Sequence, residues 1–156
     1  MRADYVHELP GLIDAMQRLT LVAETADLDP LLVELVKIRA SQINGCAYCL
    51  DMHTKDALAL GETTQRLALV SAWSEAPSYS LRERSALRWC ESLTRLPETG
   101  APDSAFQELA ANFTEKEVVA LTLIVVAING WNRLAVGLRA PVGGYVSGRT
   151  KVGSGN

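Results

Sequence analysis

Glu34-Leu35-Val36-Lys37-Ile38-Arg39-Ala40-Ser41-Gln42-Ile43-Asn44-Gly45-Cys46-Ala47-Tyr48-Cys49-Leu50-Asp51-Met52-His53 is the stretch on which the reading of this chain turns. Its first half belongs to a helix expected from Pro30 to about Ile43. Leu32, Leu35, Val36, Ala40 and Ile43 fall at helical spacing, and Asp29-Pro30 supplies an N-cap followed by proline at the first helical position. Asn44-Gly45 is a break. A second helix is expected from about Cys46 to Leu60, with Gly61 a natural residue just past its end. At about 100° per residue, positions 46, 49 and 53 then lie within roughly 60° of arc, so two thiols and an imidazole share one face. One helical turn also brings residues i and i+3 to the Cα separation of about 4.4–6.8 Å that a disulfide needs. The start of a helix is, moreover, where backbone N–H groups and the macrodipole stabilise a thiolate.

If Asn44-Gly45 turns an antiparallel hairpin, position 34 pairs with about position 55, within a turn of His53. Glu34, His53, Cys49 and Cys46 then line up along the hairpin in that order. The carboxylate can orient the imidazole and stabilise its charged form, directly or through water. Such a set suits a peroxide-reducing dithiol. One thiolate attacks a peroxide oxygen and becomes a sulfenic acid, and the second thiol condenses with it to a disulfide. Free cysteine has a pKa of about 8.5, so a base is needed near neutrality, and His53 is in position to accept the proton or stabilise the anion.

The rest of the chain reads as all-α. Leu12, Met16, Leu19, Ala23 and Ala26 recur at helical spacing, and a further helix covers roughly Thr64 to Ser74. Ser80-Leu81-Arg82-Glu83 is a capping box opening a helix towards Leu96. Thr114-Glu115-Lys116-Glu117 is a second, opening Glu115 to Ile128. Between them Asp103 begins a short helix ending near Ala111. Asn129-Gly130 is expected to break the Glu115 helix, with one more helix from Trp131 to Leu138. Residues 1–142 therefore form one helical domain, and the glycine-rich residues 143–156 a loose tail. The segment Val118–Ile128 is apolar on nearly every side, which fits either a central core helix or a subunit interface.

With 156 residues, the chain has length for one domain and a real core. It is 48% hydrophobic and 21% charged, with a formal net charge of −3, which gives no general surface for nucleic acid. Met1-Arg2-Ala3-Asp4-Tyr5 lacks a basic-then-apolar signal pattern, and the Val118–Ile128 stretch is too short to span a bilayer. A cytoplasmic protein without membrane partners is the expectation. In that compartment a Cys-x-x-Cys is catalytic or metal-binding rather than a structural staple, and an odd count of three cysteines argues against a disulfide framework.

The spacing of Glu34, an eleven-residue gap, Cys46-x-x-Cys49, three residues and His53 resembles the AhpD-like alkylhydroperoxidase branch of the carboxymuconolactone decarboxylase family. The core of the resemblance runs from about Leu28 to Gly61. A weaker one extends through Trp73 to Ile128-Asn129-Gly130-Trp131-Asn132-Arg133. It implies an all-helical AhpD-like fold with the cysteine pair at the start of a central helix, assembled as a homo-oligomer, often trimeric or hexameric. It further implies a thiol-dependent peroxidase for organic hydroperoxides or hydrogen peroxide, with no cofactor or metal and with a dithiol or protein reductant. By the family's order Cys49 is peroxidatic, Cys46 resolves it, and Glu34 and His53 form the proton relay. One departure is Tyr48, where founding members carry a histidine. A phenol, with a pKa of about 10, is a poor base near neutrality but can donate a hydrogen bond.

Other readings stand beside these. The cysteines could be half of a zinc site, although zinc needs four ligands and no second Cys-x-x-Cys exists. Glu34 could be an ordinary helix carboxylate paired with Lys37 or Arg39, and Tyr48 a packing aromatic. Cys90 reads as a small buried hydrophobe. Trp131 and Arg133 suit core filler and ion pair, or a substrate pocket or subunit contact. At the level of function, lactone decarboxylation needs an acid–base pair and no dithiol. A redox-responsive structural protein is the non-enzymatic alternative.

Overall fold

The computed structural model describes residues 1–149, and among them the regular structure is helical, without a strand. The helices are α1 (Tyr5–Glu8), α2 (Leu12–Glu24), α3 (Pro30–Ile43), α4 (Ala47–Leu60), α5 (Thr64–Leu69), α6 (Leu81–Thr94), α7 (Leu96–Thr99), α8 (Asp103–Ala110) and α9 (Glu115–Leu138). A single 3₁₀ turn, Val70–Ala72, follows α5, so the helix expected to Ser74 tightens and ends early. The helix expected towards Leu96 stops at Thr94, and Pro97 sits in the first turn of the separate α7.

The hairpin α3–α4 is the centre of the molecule. At its start the Asp29 carboxylate accepts the Leu31 N–H at 3.0 Å, and at its turn Gly45 takes φ +63°. Helix α3 is buried along most of its length and separates two apolar clusters. Leu32, Val33, Val36 and Ala40 join Leu121, Ile124, Val125 and Ile128 of α9. Leu35 and Ile38 join Ala57, Leu67, Val70 and Leu87. A helix flanked on both sides can carry Glu34 and Lys37 inward only because each finds a charged partner.

Both capping boxes form, with Glu83 and Glu117 returning to the backbone of Ser80 and Thr114. The expected break at Asn129-Gly130 does not occur: α9 runs unbroken through both residues. Asn129 Nδ2 back-bonds to the Val125 carbonyl at 2.9 Å and reaches Thr94 Oγ1 at 3.1 Å. Tertiary contacts thus offset the weak helix propensity of the pair. At 24 residues α9 is long and apolar enough to cross a bilayer by length and composition. Its buried face, however, is packed by α2, α3 and α6.

Residues 143–149, the first part of the segment read as a loose tail, lie along α4. Lys55 Nζ donates to the carbonyls of Gly143 at 3.4 Å and Tyr145 at 3.0 Å. Tyr145 Oη donates to the Asp56 carboxylate at 2.8 Å, and Ser147 Oγ to the same group at 2.5 Å. Residues 150–156 of that tail fall outside the described residues.

Candidate active site

Cys46 is the N-cap of α4 rather than its first helical residue. Its backbone is extended, at φ −88° and ψ 94°, so its sulfur turns back over the first turn and accepts the Cys49 N–H at 3.4 Å. The orphan N–H groups of a helix start therefore point at a thiol, as they would at a capping hydroxyl or carboxylate. Cys46 and Cys49 are free thiols, each 1% exposed.

The thiols share a charge. A hydrogen bond from the Cys49 thiol comes first in lowering Cys46; burial opposes it, and the Cys49 N–H and the Asn132 side chain lower it further, to about 6. Cys49 is pushed upward by that same hydrogen bond, by burial and by the neighbouring negative charge. The first proton lost leaves a thiolate at Cys46, held by the remaining thiol of Cys49.

Glu34 and His53 meet as the hairpin pairing requires. Nδ1 of His53 lies 2.7 Å from Oε2 of Glu34, and Lys37 Nζ lies 3.1 Å from Oε1. Burial drives the Glu34 carboxyl upward, but the hydrogen bond and charge of His53, then Lys37, outweigh it and hold the group at about 2. An ionised Glu34 accepts the Nδ1 proton of His53, which leaves Nε2 to exchange protons.

Cys49, Tyr48 and His53 open on a cavity of about 500 Å³ whose far wall is apolar, with Ile124, Ile128 and Trp131 from α9. Tyr145 and Arg149 of the C-terminal segment complete its rim. The structure thus brings together all five residues singled out from sequence, Glu34, Cys46, Tyr48, Cys49 and His53. Tyr48, Cys49 and His53 line the cavity, and Cys46 and Glu34 lie behind that lining. Trp131 lines the cavity and donates Nε1–H to Thr20 at 3.3 Å, whereas Arg133 is exposed and returns to the Asn129 carbonyl at 2.9 Å. Cys90 is fully buried; burial first of all pushes its thiol up to about 12, and its S–H reaches the Val36 carbonyl.

Sequence reasoning missed four residues here. Lys37 was considered only as a surface partner, and it is 6% exposed. Asp56, one turn beyond His53, is 4% exposed and anchors Tyr145 and Ser147. Ser41 and Asn132 lie behind the thiols; Lys37 and Ser41 stand in the Glu34–His53 stretch and Asn132 in Ile128–Arg133, and it is their burial and partners, not their positions, that periodicity does not show. Glu34, His53 and Asp56 offer ligand atoms within 4.8 Å of one another, a spacing a cation could use. Both carboxylates already meet partners, Lys37 and His53 on one and Tyr145 and Ser147 on the other, and the thiols stand outside that group.

Residues 10–92 match the profile of the carboxymuconolactone decarboxylase family. The uncharacterized protein YdfG of Bacillus subtilis is 36% identical over 137 residues, 88% of this chain and 93% of the relative. An Agrobacterium tumefaciens protein of unknown function, named as a candidate antioxidant defence protein AhpD, has a crystal structure that superposes with a TM-score of 0.87. It is 41% identical and covers 91% of this chain and 97% of its own. The debrominase Bmp8 superposes with a TM-score of 0.78 over 88% of this chain and 74% of its own; at 18% identity it is a likeness of fold.

Proposed function

The chain belongs to the carboxymuconolactone decarboxylase family, among its AhpD-like members, and from that premise we propose that it is a thiol-dependent peroxidase working through Cys49 and Cys46. One observation carries the reading: Cys49 opens on the same apolar cavity as His53, whose ring is held by a buried, ionised Glu34.

A hydroperoxide enters along the apolar wall and meets Cys49. The single proton of the pair passes from Cys49 to Cys46, so that the thiolate faces the cavity. Cys49 sulfur then attacks the terminal peroxide oxygen and the O–O bond breaks. The alkoxide leaves as an alcohol on taking a proton, which His53, held by Glu34, is placed to deliver. The sulfenic acid on Cys49 is attacked by Cys46; a disulfide forms and water leaves. In sum, two thiols and one hydroperoxide give a disulfide, an alcohol and water. An outside dithiol or protein reductant returns two electrons and two protons.

Stoichiometric hydroperoxide should remove two free thiols per chain within seconds, and loss over hours would count against a peroxidase. Cys49→Ser should abolish peroxide consumption. Cys46→Ser should leave a sulfenic acid on Cys49 that dimedone labels. Unchanged consumption in both variants would refute the assignment. The Glu34–His53 pair beside an apolar cavity also suits acid–base work on a lactone, the second reading. Turnover of a muconolactone by protein alkylated on both cysteines would favour that one.

A further inference from the structure

Behind the two thiols, on the side away from the cavity, lies a chain of amide side chains with a fixed direction. Asn44 Nδ2 donates to Asn129 Oδ1 at 3.0 Å and to Asn132 Oδ1 at 2.8 Å. Asn132, 1% exposed, therefore has its carbonyl occupied and must aim its N–H groups the other way. One reaches Ser41 Oγ at 3.1 Å, on the residue whose carbonyl accepts the Cys46 N–H at 2.9 Å, and from there the amide lowers both thiols. The Ser41 hydroxyl is itself committed, donating to the Lys37 carbonyl at 2.8 Å. An asparagine buried on the apolar α9 would be a liability without such partners. Here the chain runs from Asn44 through Asn132 towards the turn that carries the cysteine pair.

We propose that Asn132, polarised from behind by Asn44, is a thiolate-stabilising residue that sets both the acidity and the reduction potential of the Cys46–Cys49 pair. An N–H dipole aimed at a sulfur stabilises a thiolate strongly, a thiol weakly and a disulfide hardly at all. It therefore favours the reduced, ionised pair. Donation by Asn44 into the Asn132 carbonyl polarises the amide and strengthens its N–H as a donor. The proposal rests on the dithiol being the working site. It concerns that pair's equilibrium properties, which are measured without any peroxide.

The charged and titratable groups facing the pair come from elements other than α9, the helix that carries Asn132. They are Glu34 and Lys37 on α3, Tyr48, His53 and Asp56 on α4, Tyr5 on α1, and Tyr145 and Arg149 on the C-terminal segment. None of the cavity residues from α2 or α9 is titratable. Removing the Asn132 amide thus changes the thiols' surroundings without removing a charge.

The test is the pH dependence of alkylation by iodoacetamide, read by mass spectrometry on reduced wild-type protein, Asn132→Ala and Asn44→Ala, each first shown to be folded by circular dichroism. The midpoint should rise by about 1 pH unit in Asn132→Ala, an approximately tenfold slower reaction at any pH below it. In Asn44→Ala it should rise in the same direction by less. Equilibration with glutathione, where one glutathione disulfide takes up the two electrons and two protons of the protein dithiol, supplies a second readout. The Asn132→Ala pair should be roughly tenfold more readily oxidised, about 30 mV for a two-electron couple. Midpoints within 0.3 unit of wild type in both folded variants would overturn the proposal. If Asn132→Ala does not fold, an unmoved midpoint in Asn44→Ala does so alone. A protein inert towards hydroperoxides yet showing these shifts would sink the peroxidase reading and leave this one standing.

Discussion

Glu34 shows how burial and pairing compete within one residue. Its side chain is almost wholly enclosed, which should neutralise it, yet His53 and Lys37 keep it ionised to about pH 2. The folded value is depressed below the ordinary 4.5, so the stabilisation is fully present above about pH 4.5 and is lost as pH falls towards 2. A shift of that size is worth on the order of 3 kcal/mol. Glu34→Gln should therefore be less stable than wild type in urea near neutrality, by roughly 2–3 kcal/mol, with the gap closing as unfolding is repeated down to about pH 2.5. The same variant should slow peroxide consumption by about 10²-fold or more, because the imidazole loses the carboxylate that orients it. A variant equally stable at pH 7 and pH 3 to the wild type would show that the carboxylate is not ionised in the fold.

At the scale of the element, the hairpin was the legible part and α9 was not. The pairing of Glu34 with His53 followed from a turn at Asn44-Gly45 and the constant rise of two helices, which need no tertiary knowledge. The turn depends on Gly45 at φ +63°, where an added Cβ would meet nothing within 4 Å. Gly45→Ala should thus destabilise through backbone strain alone, by about 1–2 kcal/mol in thermal or urea unfolding. Asn129-Gly130 reads as the same kind of punctuation, and propensity cannot distinguish the two sites. What differs is tertiary: Asn129 is tied to Thr94 and Asn44, and Gly130 is helical, with Met16 Cε 2.9 Å from where its Cβ would sit. That methyl is the free end of a flexible side chain and can move aside. Gly130→Ala should accordingly stabilise the protein by about 0.5 kcal/mol, the helix gain of roughly 1 kcal/mol less the displacement of Met16. A loss above 1 kcal/mol would mean that the α2–α9 contact is too tight to yield. The position of Cys46 outside α4, and the return of residues 143–149 to Asp56, were likewise hidden. Each is decided by one side chain finding a distant or unusual partner rather than by any periodicity.

At the scale of the whole molecule, α9 leaves a set of apolar side chains in water. The segment Val118–Ile128 reads as core or as interface from sequence, and the structure buries one of its faces and leaves another exposed. Val118, Leu121, Ile124, Val125 and Ile128 are buried, while Val119 is 67% and Val126 53% exposed, with Val136 at 38% further along. These three, with Thr122 and Arg133, recur at spacings of three, four and seven residues and form one outward stripe. Apolar surface gains about 25 cal/mol per Å² on leaving water, and a second copy of the chain can supply the complementary face. We propose that the homo-oligomer the family resemblance implies would use this stripe of α9. Sedimentation velocity at micromolar concentration should give a species larger than one chain for the wild type. Val126→Glu should shift it towards the mass of a single chain while leaving the helical circular dichroism intact, because position 126 faces away from the α3 contact. A wild type that sediments as a monomer would remove the interface. An oligomer untouched by Val126→Glu would move it to another face.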